Sequence, residues 1–280
     1  MSPQSRPARR PLDARPPERI SVVAHRGASE DVPEHTLSAY RKAIDDGADA
    51  LECDVRLTAD GHLVCVHDRR VNRTSNGRGA VSALELAELA ELDFGSWKHG
   101  QDAQHGKDPY ESPDSEDPER TSVLTLDRLL RLVAEAGRPV GLAIETKHPT
   151  RWAGQVEERL LALLDQHRPV SPVRIMSFSA RSLHRVRAAA PDLPTVYLMQ
   201  LLLPRLRDGR LPPGVPVAGP GMRILRAHPE YVERAHRAGH EVHVWTVDDP
   251  ADVALCARLG VDAVITNRPQ QVRAQLTAAS

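Results

Sequence analysis

Glu52 and Asp54 stand one residue apart in Ala-Leu-Glu-Cys-Asp-Val-Arg-Leu, positions 50–57, a run that otherwise reads as a buried β-strand. Strand side chains alternate between faces, so both carboxylates point one way while Leu51, Cys53 and Val55 point the other. Like charges converging in a low-dielectric site are costly unless a cation or strong donors neutralise them. A hard divalent metal meets that need, and salt bridging to nearby arginines is the plainer alternative. Glu145, in Leu-Ala-Ile-Glu-Thr-Lys at 142–147, could join the pair as a third oxygen ligand for one Mg²⁺ or Ca²⁺.

Other polar residues end apolar runs in the same way. His25 and Arg26 follow Ser21–Ala24, His67 and Asp68 follow Leu63–Val66, and Lys147 lies two residues past Glu145. Histidines titrate near neutral pH, so His25 and His67 beside a metal suit general acid–base work. They could instead ligate a softer ion, although three carboxylates favour a hard one. Arg26 and Lys147 place positive charge where an anionic phosphate ester would bind, Arg as a fork and Lys as a point charge. The chain has only four lysines, Lys42, Lys98, Lys107 and Lys147, which makes Lys147 an informative choice. Phe178 and Trp245 would wall a small organic group, with core packing the alternative for Phe178.

These residues need elements to hold them, and the chain alternates short β-like runs with amphipathic ones. Strands are expected over Ser21–Ala24, 50–57, Leu63–His67, Val140–Thr146, Val173–Phe178, Thr195–Met199, Val215–Ala218, Glu241–Val247 and Asp262–Thr266. Helices are expected from Pro33, from a capping box at Ser82–Glu85, from Thr125, around Val156–Leu164, from Ser179, over 229–238 and from Pro250. Repeated alternation implies a parallel sheet closed as a (β/α)₈ TIM barrel. The tight turn at 59–61 suits a hairpin, so the barrel should be irregular near its second and third strands. In such barrels the active site lies at the C-terminal ends of the strands, where this polar set falls. Residues 98–121 are polar and Pro-containing, either a loop over the site or an excursion with no role.

Hydrophobic residues make up 40% and charged residues 27% of 280, as in an ordinary soluble globular protein. A net charge of −1 gives no global field for nucleic acid or an anionic membrane. No apolar run has transmembrane length, so stable membrane insertion is not expected. Cys53, Cys65 and Cys256 form no disulfide framework and fit buried reduced thiols in a cytoplasmic protein. Residues 1–19 are Pro- and Arg-rich without an apolar core region, and read as a disordered tail rather than a signal peptide. Residues 20–280 are then expected to form one domain.

His-Arg-Gly-Ala-Ser at 25–29, Pro-Glu-His-Thr at 33–36 and Glu-Cys-Asp-Val at 52–55 resemble the glycerophosphodiester phosphodiesterase family. So do Asp-Gly-His-Leu-Val-Cys-Val-His-Asp at 60–68, Glu-Thr-Lys at 145–147, Ser177-Phe178 and Val-Trp-Thr-Val at 244–247. The resemblance implies a TIM-barrel phosphodiesterase, with Glu52, Asp54 and Glu145 as metal ligands and His25 and His67 as the acid–base pair. It implies metal-dependent hydrolysis of a glycerophosphodiester, a small-molecule substrate, to sn-glycerol 3-phosphate and an alcohol. A lyase that stops at a cyclic phosphate and a catalytically silent phosphoester-binding barrel are the alternatives. The chain departs from the family at His35, where Asn is usual, which should alter hydrogen bonding without loss of activity. Glu34 matches the pattern, either orienting Arg26 or joining the metal's outer shell. The region between His67 and Ser82 is short, which implies a reduced insertion over the glycerol pocket.

Overall fold

The computed structural model describes residues 19–98, 117–147 and 154–278. The expected tail, apart from Arg19, lies outside those residues, as does most of the 98–121 segment. The strands are β1 (Ser21–His25), β2 (Ala50–Leu57), β3 (Leu63–Cys65), β4 (Gly141–Thr146), β5 (Val173–Ser177), β6 (Thr195–Met199), β7 (Val217–Pro220), β8 (Glu241–Trp245) and β9 (Ala263–Thr266). β1 pairs with both β2 and β9, which closes a parallel (β/α)₈ TIM barrel of β1, β2 and β4–β9. β3 lies outside that ring, antiparallel to β2, with Val55 opposite Cys65. The hairpin at 59–61 thus produces the expected irregularity: Thr58 and His62 pair across it.

Strand alternation sorts the side chains into two cores. Outward-facing Leu51, Cys53 and Val55 pack with Tyr40, Leu129 and Leu160 of the surrounding helices. Inward-facing Val23, Ala143, Met176, Val196, Leu198 and Ile265 fill the barrel, with Ala50 at the same level of β2. This plug occupies the lower barrel, so Glu52 and Asp54, farther along the same face of β2, sit above an apolar floor.

Several helix starts differ from expectation, each for a local reason. The first helix is Leu37–Asp45 rather than one opened by Pro33, because the Thr36 hydroxyl caps it by accepting from the Ala39 N–H at 3.2 Å. Val81–Ala83 is a 3₁₀ turn, and the capping box belongs to Glu85 and Glu88 at the start of Leu86–Ala90. Met222–Ala227 forms a helix that the sequence reading lacked, ahead of Tyr231–Arg237. Thr125, Ser179 and Asp249 cap their helices by accepting backbone N–H groups. The segment after His67 is more than a bare loop. Val64, Val66, Val71, Val81, Leu89 and Phe94 give it a small core of its own.

The turn after β1 depends on one glycine. Arg26 and Gly27 are left-handed, with φ of +60° and +89°, and a Cβ on Gly27 would lie 2.7 Å from Ala39 atoms. Gly27→Ala should therefore destabilise the fold by about 2–5 kcal/mol, measurable by denaturant unfolding. An unchanged midpoint would mean that the helix Leu37–Asp45 does not press on this turn.

Candidate active site

Strand register assembles the site. In the β2–β4 pairing Asp54 lies beside Glu145, one layer above Glu52 beside Ala143, and in the β1–β2 pairing His25 lies beside Glu52. Oxygen atoms of Glu52, Asp54 and Glu145 all fall within 4.8 Å of one another, and the three residues are buried. Asp54 and Glu145 are flanked by cations. Lys147 Nζ lies 2.8 Å from Asp54 Oδ1 and 2.7 Å from Glu145 Oε1. Arg26 Nε lies 3.1 Å from Asp54 Oδ2, and the Arg26 backbone N–H donates to Glu52 Oε2 at 3.0 Å.

Burial dominates the protonation of this set. Desolvation, with the charge of Asp54, pushes Glu52 well above the usual carboxylate range and Glu145 up to about 7. Asp54 is equally buried, but the hydrogen bond from His35 and the charge of Lys147 hold it well below its ordinary value. The charged member is thus Asp54, while its neighbours resist ionisation next to it. Asp54 Oδ1 is buried without a hydrogen-bond partner; Lys147 is close but outside hydrogen-bond geometry. Three buried carboxylates whose oxygens converge within 4.8 Å offer the hard donors that a divalent cation takes.

His35 takes part in this arrangement. Its Nε2 lies 2.9 Å from Asp54 Oδ2 and its Nδ1 2.8 Å from the Tyr40 hydroxyl, which is 3.1 Å from the Glu52 carbonyl. Burial lowers its pKa; Nε2–H donates to Asp54, and the Tyr40 hydroxyl beside Nδ1 donates to the Glu52 carbonyl. The backbone at His35 is left-handed, φ +62°, a conformation that Asn and His adopt more readily than most residues. The altered hydrogen bonding expected there is a direct contact with the carboxylate set.

The two catalytic candidates are each anchored through Nδ1. His25 Nδ1 lies 2.7 Å from Asn267 Oδ1, and His67 Nδ1 lies 2.7 Å from Asp68 Oδ1. Arg56 donates twice to the His67 carbonyl, at 3.0 and 2.6 Å, which fixes the backbone there. Burial, aided by the charge of Arg26, lowers the His25 pKa to about 3. Burial also lowers that of His67, opposed by the charge of Asp54 and the hydrogen bond to Asp68. A cavity of about 270 Å³ opens between them, lined also by Arg26, Glu52, Glu145 and Lys147. Phe178 and Trp245 form its far wall, edge to face at 5.4 Å, and Phe178 is exposed rather than packed in the core.

A profile of the glycerophosphoryl diester phosphodiesterase family matches residues 25–271. The chain is 44% identical over 264 residues to a protein named "Probable glycerophosphodiester phosphodiesterase 1" from Mycobacterium tuberculosis, covering 91% of this chain and 92% of that one. It is 36% identical over 263 residues to the glycerophosphodiester phosphodiesterase of Bacillus subtilis, covering 90% and 85%. Among solved structures, that of the Agrobacterium tumefaciens glycerophosphodiester phosphodiesterase superposes with a TM-score of 0.72 at 27% identity, covering 92% and 99%. The chain belongs to the glycerophosphoryl diester phosphodiesterase family. It is a phosphodiesterase built on a TIM barrel, as its sequence motifs imply.

Within this phosphodiesterase, every residue singled out in the sequence reaches the same end of the barrel, but not always in the expected pose. Lys147 and Arg26 engage the carboxylates as well as lining the cavity. Glu34 orients Arg26, accepting from its Nη1 at 3.1 Å, and is held at a pKa of about 2, against burial, by the hydrogen bonds of Arg73 and the charge of Arg26. Arg73 bridges Glu34 at 2.8 Å and Asp68 at 2.8 Å, tying the entrance of the first strand loop to that of His67. The sequence reading missed Arg73 because its short 3₁₀ turn carries no periodic signal. It missed Asn267 too, although a polar residue closing the apolar run at 263–266 obeys the rule that located the others. Among the described residues, no helix is long and apolar enough to cross a membrane.

Proposed function

We propose that this phosphodiesterase hydrolyses glycerophosphodiesters to sn-glycerol 3-phosphate and an alcohol, with His25 as general base and His67 as general acid. The observation that carries this reading is the single cavity lined by both histidines, two of the buried carboxylates and two cations. Glu52, Asp54 and Glu145 would hold one Mg²⁺ or Ca²⁺, which when bound polarises the phosphoryl group as a Lewis acid. Arg26 and Lys147 neutralise phosphate charge at the cavity wall. His25 Nε2 takes a proton from the attacking water as its oxygen bonds to phosphorus. The bond from phosphorus to the alcohol oxygen breaks, and His67 Nε2–H delivers the proton that oxygen needs. Asp68 on Nδ1 supports the positive charge His67 must carry beforehand. Phe178 and Trp245 shield the organic part of the substrate from water.

Phosphorus NMR of the products, from a panel of glycerophosphodiesters with Mg²⁺ or Ca²⁺ and an EDTA control, tests the proposal. Glycerol 3-phosphate is expected. A cyclic phosphate end product would make the protein a lyase, and no cation-dependent product would make it a silent binding barrel.

Cation binding should depend on pH. With Glu145 at about 7, the site holds a proton at pH 6 that a cation must displace. The sign for stability follows from the raised pKa. Without a cation, folding retains a proton that the unfolded chain has released, so Glu145 contributes less stability as pH rises from about 4.5 to about 7. The rise in Tm on adding Mg²⁺ or Ca²⁺ should therefore be larger at pH 8 than at pH 6, by thermal melts. An equal rise at both pH values would contradict proton displacement.

A further inference from the structure

We infer that Asn267, clamped by Asp248, is a positioning residue that holds the His25 ring in the Nδ1–H tautomer. The inference rests on the reading of His25 as the base and adds what makes it one. The Asp248 carboxylate accepts from the Asn267 backbone N–H at 2.7 Å, from Asn267 Nδ2 at 2.6 Å and from the Thr266 hydroxyl at 2.8 Å. A carboxylate accepts and an amide nitrogen only donates, so Asn267 cannot turn over without facing oxygen to oxygen. Its Oδ1 is thereby aimed at His25 Nδ1, 2.7 Å away. An amide oxygen cannot donate, so the hydrogen of that contact belongs to Nδ1.

A neutral imidazole has one N–H, so the lone pair falls on Nε2, the nitrogen left for the cavity. The Ser29 hydroxyl, 2.7 Å from Asn267 Oδ1 and 2.7 Å from the His25 carbonyl, braces the amide from the other side. These parts come from three places: the β1 end, the stretch after β8, and the residue after β9. Barrel closure through the β1–β9 pairing brings them together. His67 differs, since its Nδ1 partner is the Asp68 carboxylate. A neutral acceptor on one ring and a carboxylate on the other divide the histidines into a base and an acid.

Nitrogen-15 NMR of ¹⁵N-histidine-labelled protein, with His25 assigned by the signal lost in His25→Gln, reads the tautomer directly. Wild type should show Nδ1 protonated and Nε2 bare. Asn267→Ala and Asp248→Ala should both lose that preference, and Asn267→Ala should lower kcat by about 10- to 100-fold with KM little changed. Wild-type His25 protonated on Nε2, or Asn267→Ala with wild-type kcat, would overturn the inference. The wild-type spectrum decides even if a variant fails to fold. Full activity in His25→Ala would remove the base reading alone, and the spectra would still decide whether Asn267 sets the tautomer.

Discussion

Asp54→Asn should lower kcat/KM by about 10³-fold or more and abolish measurable Mg²⁺ or Ca²⁺ binding by titration calorimetry. The size follows from the several kcal/mol a correctly placed cation supplies to phosphoryl transfer. Asp54 is the chosen position because it is the carboxylate that stays charged. His35 and Lys147 keep it ionised, whereas burial and mutual repulsion favour the protonated forms of Glu52 and Glu145. Glu52→Gln should also lose cation binding, yet its Tm in EDTA should match or exceed that of wild type. The raised pKa disfavours the charged form of Glu52, and a glutamine oxygen can still accept the Arg26 N–H now held at 3.0 Å. Function and apo stability would thus move in opposite directions, as expected of strain stored at a site. Unaltered cation affinity in Asp54→Asn would remove the metal from this set of residues.

The second large effect is at the histidines. His25→Ala and His67→Ala should each lower kcat by about 10²–10⁴-fold, the usual worth of positioned proton transfer, and leave cation affinity intact. The leaving group separates their roles. On a glycerophosphodiester of nitrophenol, whose oxygen departs without help, His67→Ala should recover most of its activity. His25→Ala should not, because the attacking water still needs a base. The opposite pattern would exchange the two assignments. Recovery by neither variant would point to a structural role for both rings.

Sequence and structure contributed different things to these expectations. Alternation within the strand at 50–57 already placed Glu52 and Asp54 on one face, and the strand–helix rhythm already implied a closed barrel. The capping residues Thr125 and Ser179 were equally legible, since a cap is a contact within one turn. Helix starts at 33 and 82 were misplaced because Thr36 and Glu85 competed locally with equally plausible caps.

The amino-acid sequence alone determined which chemistry was available: three carboxylates, two histidines and two cations, most of them closing an apolar run. Only the tertiary structure decided how that chemistry is divided. The β2–β4 register sets Asp54 beside Glu145, where burial favours the protonated forms of Glu52 and Glu145 while His35 and Lys147 favour a charged Asp54. Barrel closure brings Asn267 to His25 across 242 positions and leaves Asp68 with its chain neighbour His67. Local pattern is written by the chain's own periodicity. Proton positions are set by burial and by partners from distant strands, and those exist only once the barrel has closed.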